Sequence, residues 1–307
     1  MSMLIIEHTR TCRVAPHETR TAMDDEPHTE RTMSTTTRAI AVPGGTVLAR
    51  TLGSTTAGIP LVVLTHLAAN LDSFDPELVQ PLAEHGGVVL LGYRGVGGAE
   101  GRARDSIEEM ATDALAAIRA LGLDRIDLFG LSMGGMVAQE IVERAPGLVE
   151  HLVLAGSGPA GGPGLAHMTG VVVRTILRGL VTATDPTTLL FFTRTPAGRR
   201  AAADYRARLA RPRADRDRAV SPTVFRAQLR AVRRWGDRPL VPTPSGFTGP
   251  ALLVHGDSDR MVPVANVDVL RDRFPHASVR IVPDAGHGVV SQDRTAVVDA
   301  VRDLLGQ

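Results

Sequence analysis

Lysine is absent from the 307 residues, so all 34 basic side chains are arginine. Without lysine no Schiff base can form with a carbonyl substrate, and that route to covalent catalysis is closed. Cysteine occurs once, at Cys12, which excludes a disulfide framework and a cysteine-based metal site. No apolar run approaches the roughly 20 residues that a membrane helix needs. The start, "MSMLIIEHTRTCR", has an apolar centre of only Leu4–Ile6 and no small-residue cleavage site, so a signal peptide is not expected. A formal net charge of +1 supplies no global field for nucleic acid or an anionic membrane. Together these absences set the expectation of a cytoplasmic protein with neither nucleic acid nor membrane as partner.

What is present is apolar content of 43%, enough for one substantial core. Residues 1–36 are expected to form a disordered tail, because the segment lacks periodicity and is rich in Thr, Arg, His and Glu. Met33 is a candidate for the true start. "RAIAV" and "TVLARTL" flank "PGG" at Pro43–Gly45 and predict a β-hairpin. Short β-branched runs at 60–66, 86–92, 125–130 and 150–156 predict strands. Helices are predicted over 105–122 and 135–146, the second stopped at Pro146. Strand–helix alternation resumes at 250–256, a helix over about 263–274, a strand at 278–283 and a last helix over 291–305. Repeated βα units imply a mostly parallel sheet with helices on both faces. Between the two βα stretches, residues 157–247 show no strand alternation and predict a helical insertion, or lid. The core is thus expected over 37–156 and 248–307. Insertions of this kind leave the sheet at the carboxyl ends of strands, above the place where ligands bind.

One motif carries chemistry. "RIDLFGLSMGG" runs from a strand through G-x-S-x-G into a helix, with Ser132 between Gly130 and Gly134. That context defines a nucleophile elbow, a tight turn holding a serine in a sparsely allowed conformation. A serine hydroxyl needs a neighbouring base, and the base needs an orienting acid. For this strand–turn–helix arrangement both partners lie downstream. His287, in "PDAGHGV", follows the last predicted strand and is the expected base; His151 and His276 lie at the wrong ends of strands, and His167 and His255 are less well placed. For the acid, "LLVHGDSDRMVP" offers Asp257 and Asp259. Asp257 is placed to cap its own turn, whereas Asp259 is better placed to reach the His287 loop, and Asp259 is preferred. Acyl transfer also needs two N–H donors for the developing oxyanion. Met133, at the helix N-terminus, is one; the other is expected from the loop "THLAANLDSFDP".

These motifs, with "YRGVG" at Tyr93–Gly97, "HGDSDRMVP" and "GHG", resemble the α/β-hydrolase superfamily over nearly all of residues 38–305. The nearest likeness is to its lid-bearing esterase, haloperoxidase-like and carbon–carbon-bond hydrolase branch. The resemblance implies an eight-stranded sheet, a nucleophile at Ser132, a triad acid at Asp259 and a base at His287. It also implies that Ala68 supplies the second oxyanion N–H, with Leu67 the lesser candidate. Two positions depart from the family pattern: Leu67 follows His66 where glycine is usual, and Gly92 stands where aspartate is common. His66 is expected to be structural. Serine at 132 excludes the nucleophilic aspartate of dehalogenases and epoxide hydrolases.

Two uses are open to the insertion's aromatics, "LLFF" at 189–192, Tyr205, Phe225 and Trp235: packing the lid on the core, or lining an apolar acyl pocket. Its arginines read as solvated helix faces, with a bidentate reader of a substrate carboxylate as the alternative. The expected activity is cofactor-independent hydrolysis of a small or medium acyl compound, a carboxylic ester first. Perhydrolysis, lactone hydrolysis and carbon–carbon bond hydrolysis use the same machinery, and a non-catalytic ligand-binding protein on the same scaffold is the alternative of another class. The expected partner is a small-molecule acyl substrate; self-association into a homo-oligomer stays open.

Overall fold

The computed structural model describes residues 35–211, 215–240 and 243–306. The expected tail and the candidate start at Met33 lie outside these residues, except that Thr35 and Thr36 already belong to the first strand. Eight strands form one sheet: β1 (Thr35–Val42), β2 (Gly45–Leu52), β3 (Leu61–Leu64), β4 (Val88–Leu91), β5 (Ile126–Leu131), β6 (Val149–Ala155), β7 (Ala251–Gly256) and β8 (Ala277–Val282). Their order is β1-β2-β4-β3-β5-β6-β7-β8, with β1 and β2 antiparallel to their neighbours and every pairing from β4 to β8 parallel. The core helices are α1 (Pro76–Gly86), α2 (Ile107–Ala120), α3 (Met133–Arg144), α8 (Asn266–Arg273), α9 (Val289–Gln292) and α10 (Arg294–Leu305). The insertion contributes α4 (Met168–Thr182), α5 (Pro186–Phe191), α6 (Pro196–Ala210) and α7 (Pro222–Gly236).

The central strands are buried on both faces, as β3, β4, β5 and β7 show along their whole length. Their period-2 alternation then decides which layer each side chain joins. Val62, Leu64, Val89 and Leu91 pack with Ile107 and Ile118 of α2 and Val137 and Ile141 of α3. Leu61, Val63, Val88 and Leu90 point to the opposite layer, against Leu78 and Leu82 of α1 and Val297 and Val301 of α10. One apolar run therefore feeds two cores, which is why these segments carry no polar face.

Four helices open on one device. Asp75, Asp185, Thr195 and Ser221 each accept a hydrogen bond from a first-turn N–H, and each is followed by proline at the first helical position. The cap satisfies an orphan donor and the proline needs none. Asp75 does more than cap. The Arg208 guanidinium of α6 donates to both its carboxylate oxygens, at 3.0 and 2.7 Å, and ties the insertion to α1 in a buried pair. Helix α1 is not predicted by the sequence pattern; Pro81 interrupts it, yet residues 76–86 stay helical. Among the described residues no helix is long and apolar enough to cross a membrane.

The residues of interest gather where β3, β5, β7 and β8 end. The chain moves from β3 outward to β4 and then back across to β5, so the connections diverge at the β3–β5 boundary. The crevice outside such a switch point is where open α/β sheets hold ligands.

Candidate active site

The turn at Ser132 is built by exclusion of side chains around it. Ser132 itself stands at φ 55°, ψ −117°, a conformation costly for a residue with a Cβ. A Cβ on Gly134 would fall 2.2 Å from the Leu64 carbonyl oxygen, and one on Gly130 would fall 2.5 Å from the Gly135 Cα. Strand β5, helix α3 and the end of β3 can approach this closely only because both positions lack side chains. The end of neighbouring β6 and the residues just past it bracket the turn: the Ser132 N–H donates to the Ala155 carbonyl at 2.8 Å, and Ser157 Oγ donates to the Ser132 carbonyl at 2.9 Å.

Three side chains expected to act together do meet. His287 Nε2 lies 2.8 Å from Ser132 Oγ, and His287 Nδ1 lies 2.7 Å from Asp259 Oδ2. All three residues are buried. These bonds fit the tautomer with its proton on Nδ1, which leaves Nε2 to accept from the serine hydroxyl. Asp259 is clamped on its other oxygen, where Oδ1 accepts the N–H groups of Met261 and Val262 at 2.8 and 2.9 Å. Of the two candidate acids, Asp259 is the one brought to His287; Asp257 is exposed and accepts from Ser258 Oγ. His255, buried at the end of β7, donates through Nε2 to the Val262 carbonyl and sits 3.6 Å from Asp259 Oδ2. Burial pushes its pKa down, so it supports the Asp259 loop as a neutral ring. The "HGDSD" string held that histidine in view, but nothing in the spacing linked it to Val262. His151 pairs with Asp127 between β5 and β6, while His167 and His276 are exposed.

The remaining loop of the site follows β3. His66 Nδ1 bonds the Leu67 carbonyl at 2.8 Å, which makes Nδ1 the protonated nitrogen, and His66 Nε2 is enclosed with no protein partner. Burial, reinforced by the nearby His287, lowers the His66 pKa to about 4, so the ring is neutral at physiological pH. Its expected structural role is only half the picture, because the ring also borders the pocket over Ser132 and His287. Ala68 adopts φ 63° without being glycine. The two backbone groups expected as oxyanion donors differ in state. The Met133 N–H, first in α3, finds no acceptor among the described residues. The Ala68 N–H donates to Gln228 Oε1 of α7 at 2.8 Å. Nothing in the sequence marked Gln228.

Above Ser132 and His287 lies a cavity of about 150 Å³, mostly apolar, walled by Val172, Ile176, Leu190, Phe191, Phe225 and Met261. The insertion's aromatics divide between the two expected uses. Phe191 and Phe225 line the cavity, and Phe191 meets both His66 and His287 edge to face, with ring centroids 5.0 and 5.5 Å apart. Trp235 and Phe192 pack instead; Trp235 Nε1 donates to the Gly158 carbonyl at 3.1 Å. No arginine lines this cavity among the described residues. No cluster of potential metal ligands occurs among the described residues either.

Comparison with known proteins places the fold. The model of the alpha/beta hydrolase fold matches residues 59–293. A protein of Agrobacterium fabrum named as the carbamate hydrolase RutD is 30% identical over 104 residues, covering 33% of this chain and 40% of that protein, so the chain matches less than half of that relative's length. A Haemophilus influenzae protein named esterase/lipase is 23% identical over 263 residues, covering 82% of this chain and 85% of the other. Among solved structures, an alpha/beta hydrolase fold protein from Chitinophaga pinensis superposes with a TM-score of 0.81 at 26% identity, over 89% of this chain and 98% of that one. With the family match spanning most of its length, the chain belongs to the alpha/beta hydrolase family.

Proposed function

We propose that this hydrolase cleaves a small or medium acyl compound, a carboxylic ester, through an acyl-enzyme on Ser132. The observation that carries the reading is the unbroken buried relay from Ser132 Oγ to His287 to Asp259, with bonds of 2.8 and 2.7 Å. Ser132 Oγ attacks the carbonyl carbon while its proton passes to His287 Nε2. Asp259 keeps the Nδ1 proton in place and stabilises the imidazolium. The oxygen of the tetrahedral intermediate takes its hydrogen bonds from the Met133 and Ala68 N–H groups. Collapse breaks the bond to the alcohol oxygen, which leaves with the proton from His287. A water then repeats the sequence on the acyl-enzyme, giving the acid and restoring Ser132. No cofactor enters these steps. Residues 157–247 act as the lid, and the apolar cavity beneath them selects the acyl group.

The experiment is fluorophosphonate labelling with hydrolysis of a p-nitrophenyl ester chain-length series. Wild type is expected to label and to turn over; Ser132→Ala is expected to do neither. A wild type that stays unlabelled and inactive, under conditions where a known esterase reacts, would leave a binding protein on this scaffold as the better reading. Running a p-nitrophenyl carbamate beside the esters tests the chemistry named for the Agrobacterium relative.

A further inference from the structure

The insertion reaches the expected oxyanion donor directly, through Gln228. Only an oxygen of a carboxamide can accept from an N–H, so the orientation of the Gln228 amide is fixed by chemistry: Oε1 faces Ala68 and Nε2 faces away. Gln228 is fully buried, and that Nε2 has no partner. The side chain is thus held by one bond while its own two donors go unmet, an arrangement that weakens its grip relative to a fully satisfied amide. Its single bond falls on the group that the reaction needs free, because an N–H spent on a 2.8 Å acceptor cannot also stabilise an oxyanion at full strength.

We propose that Gln228 is a positioning residue that gates the oxyanion hole: its carboxamide oxygen occupies the Ala68 N–H in the resting enzyme and withdraws when a substrate oxygen arrives. This rests on the reading of Ala68 as a donor given above. The moving part is the side chain and not the helix. Helix α7 is tied down by Trp235 Nε1 on the Gly158 carbonyl, by Arg230 and Arg234 on Asp105, and by Arg238, just past its end, on Glu108 and Glu140. Three rotatable bonds of glutamine suffice to release Ala68 with the backbone of α7 in place. The exchange is close to balanced for a neutral carbonyl, since one neutral acceptor replaces another. It turns favourable as the substrate oxygen gains charge, because charge-assisted bonds are roughly twice as strong. The gate therefore opens with progress toward the transition state and suppresses binding of oxygens that never develop charge.

The test is the second-order rate of fluorophosphonate labelling, with kcat/KM on a p-nitrophenyl ester, for Gln228→Ala, Gln228→Asn and Gln228→Glu. Neither Ala nor the shorter Asn reaches Ala68, and both are expected to react about 3- to 10-fold faster than wild type, the size of one neutral hydrogen bond released. Using two variants guards against a packing defect in one of them. Gln228→Glu, which offers the same N–H a charged acceptor beside a developing anion, is expected to react at least about 100-fold slower. Rates for Ala and Asn that equal or fall below wild type overturn the gate. A second readout is the Ala68 amide proton in the nuclear magnetic resonance spectrum. It should shift on Gln228→Ala, and in wild type it should shift again when a boronic acid forms its adduct on Ser132. An amide that responds to the mutation and not to the adduct removes Ala68 as donor and the gate with it, while labelling of Ser132 still stands. If wild type itself does not label, the nucleophile reading fails and the gate falls with it.

Discussion

The two walls of the site are made differently. On the sheet side, Ser132, His287 and Asp259 are buried and each is held by at least two hydrogen bonds that end on backbone or on one another. On the insertion side, Gln228 Nε2 and Thr188 Oγ1 are buried without partners, and helix α4 leaves Leu180 and Val181 75% and 87% exposed. The three relay residues are over-determined; His66 Nε2 beside them and the insertion's polar groups are not. Rigid donors and acceptors suit the atoms that change charge, since preorganised dipoles need no rearrangement during reaction. In the proposed mechanism the looser wall meets the part of the substrate that merely has to fit.

That contrast can be broken from either wall. The largest effect is expected from Asp259→Asn, which leaves the clamp on Oδ1 but spoils the partner of His287 Nδ1; kcat should fall by about 10³- to 10⁴-fold, while Asp257→Asn should stay within about twofold. Steady-state kinetics on one ester decide it, and the reverse ranking would put the acid at the wrong position. Next comes Gly134→Ala. Its Cβ would sit 2.2 Å from the Leu64 carbonyl, so backbone has to move. A loss of at least about 2 kcal/mol is expected, read as a melting temperature lower by about 4 °C or more. An unchanged melting curve would show that the elbow has slack. On the insertion side, Phe225→Ala should enlarge the cavity and shift the ratio of kcat/KM for long over short acyl chains by about tenfold, with little change in melting temperature. A uniform loss across the chain-length series would instead make Phe225 part of the rigid wall. The last expected effect is on pH dependence, and it leaves activity at neutral pH untouched. His66 titrates at 6.5 when unfolded and at about 4 when folded, so the unfolded chain takes up the proton first. The stability that depends on a neutral His66 is present above about pH 6.5 and is lost as pH falls from there toward about 4. Urea unfolding across that window should show a shallower dependence on pH for His66→Asn than for wild type.

Legibility in the sequence follows the same division. The elbow could be read because its geometry admits only glycine at two nearby positions, and that restriction is written into the string around Ser132. Asp259 and His287 could be read because chain order and strand ends fix where a relay across this sheet must sit. The insertion could be read as helical but not as a set of walls, since which aromatic faces the cavity depends on how four amphipathic helices dock. Phe191 and Trp235 look alike in sequence and end in different roles. Gln228 is the extreme case: it lies 160 positions from Ala68, in a helix whose other buried residues are mostly apolar, and no local pattern links the two. Helix α1 was legible in principle, because Asp75 and Pro76 repeat the cap-and-proline start of the insertion helices, but Pro81 masks the run.

Because the peptide of Ser132 hangs from Ala155 of β6 and from Ser157 just beyond it, the hydroxyl proposed as nucleophile is positioned from beside its own strand. In the proposed mechanism the relay comes from the ends of the sheet strands, while much of the cavity wall comes from the insertion. For anyone altering this protein, the consequence is a practical one. If the proposed mechanism holds, a library spread over Val172, Ile176, Leu190 and Phe225 searches substrate space while Ser132 stays where the sheet holds it.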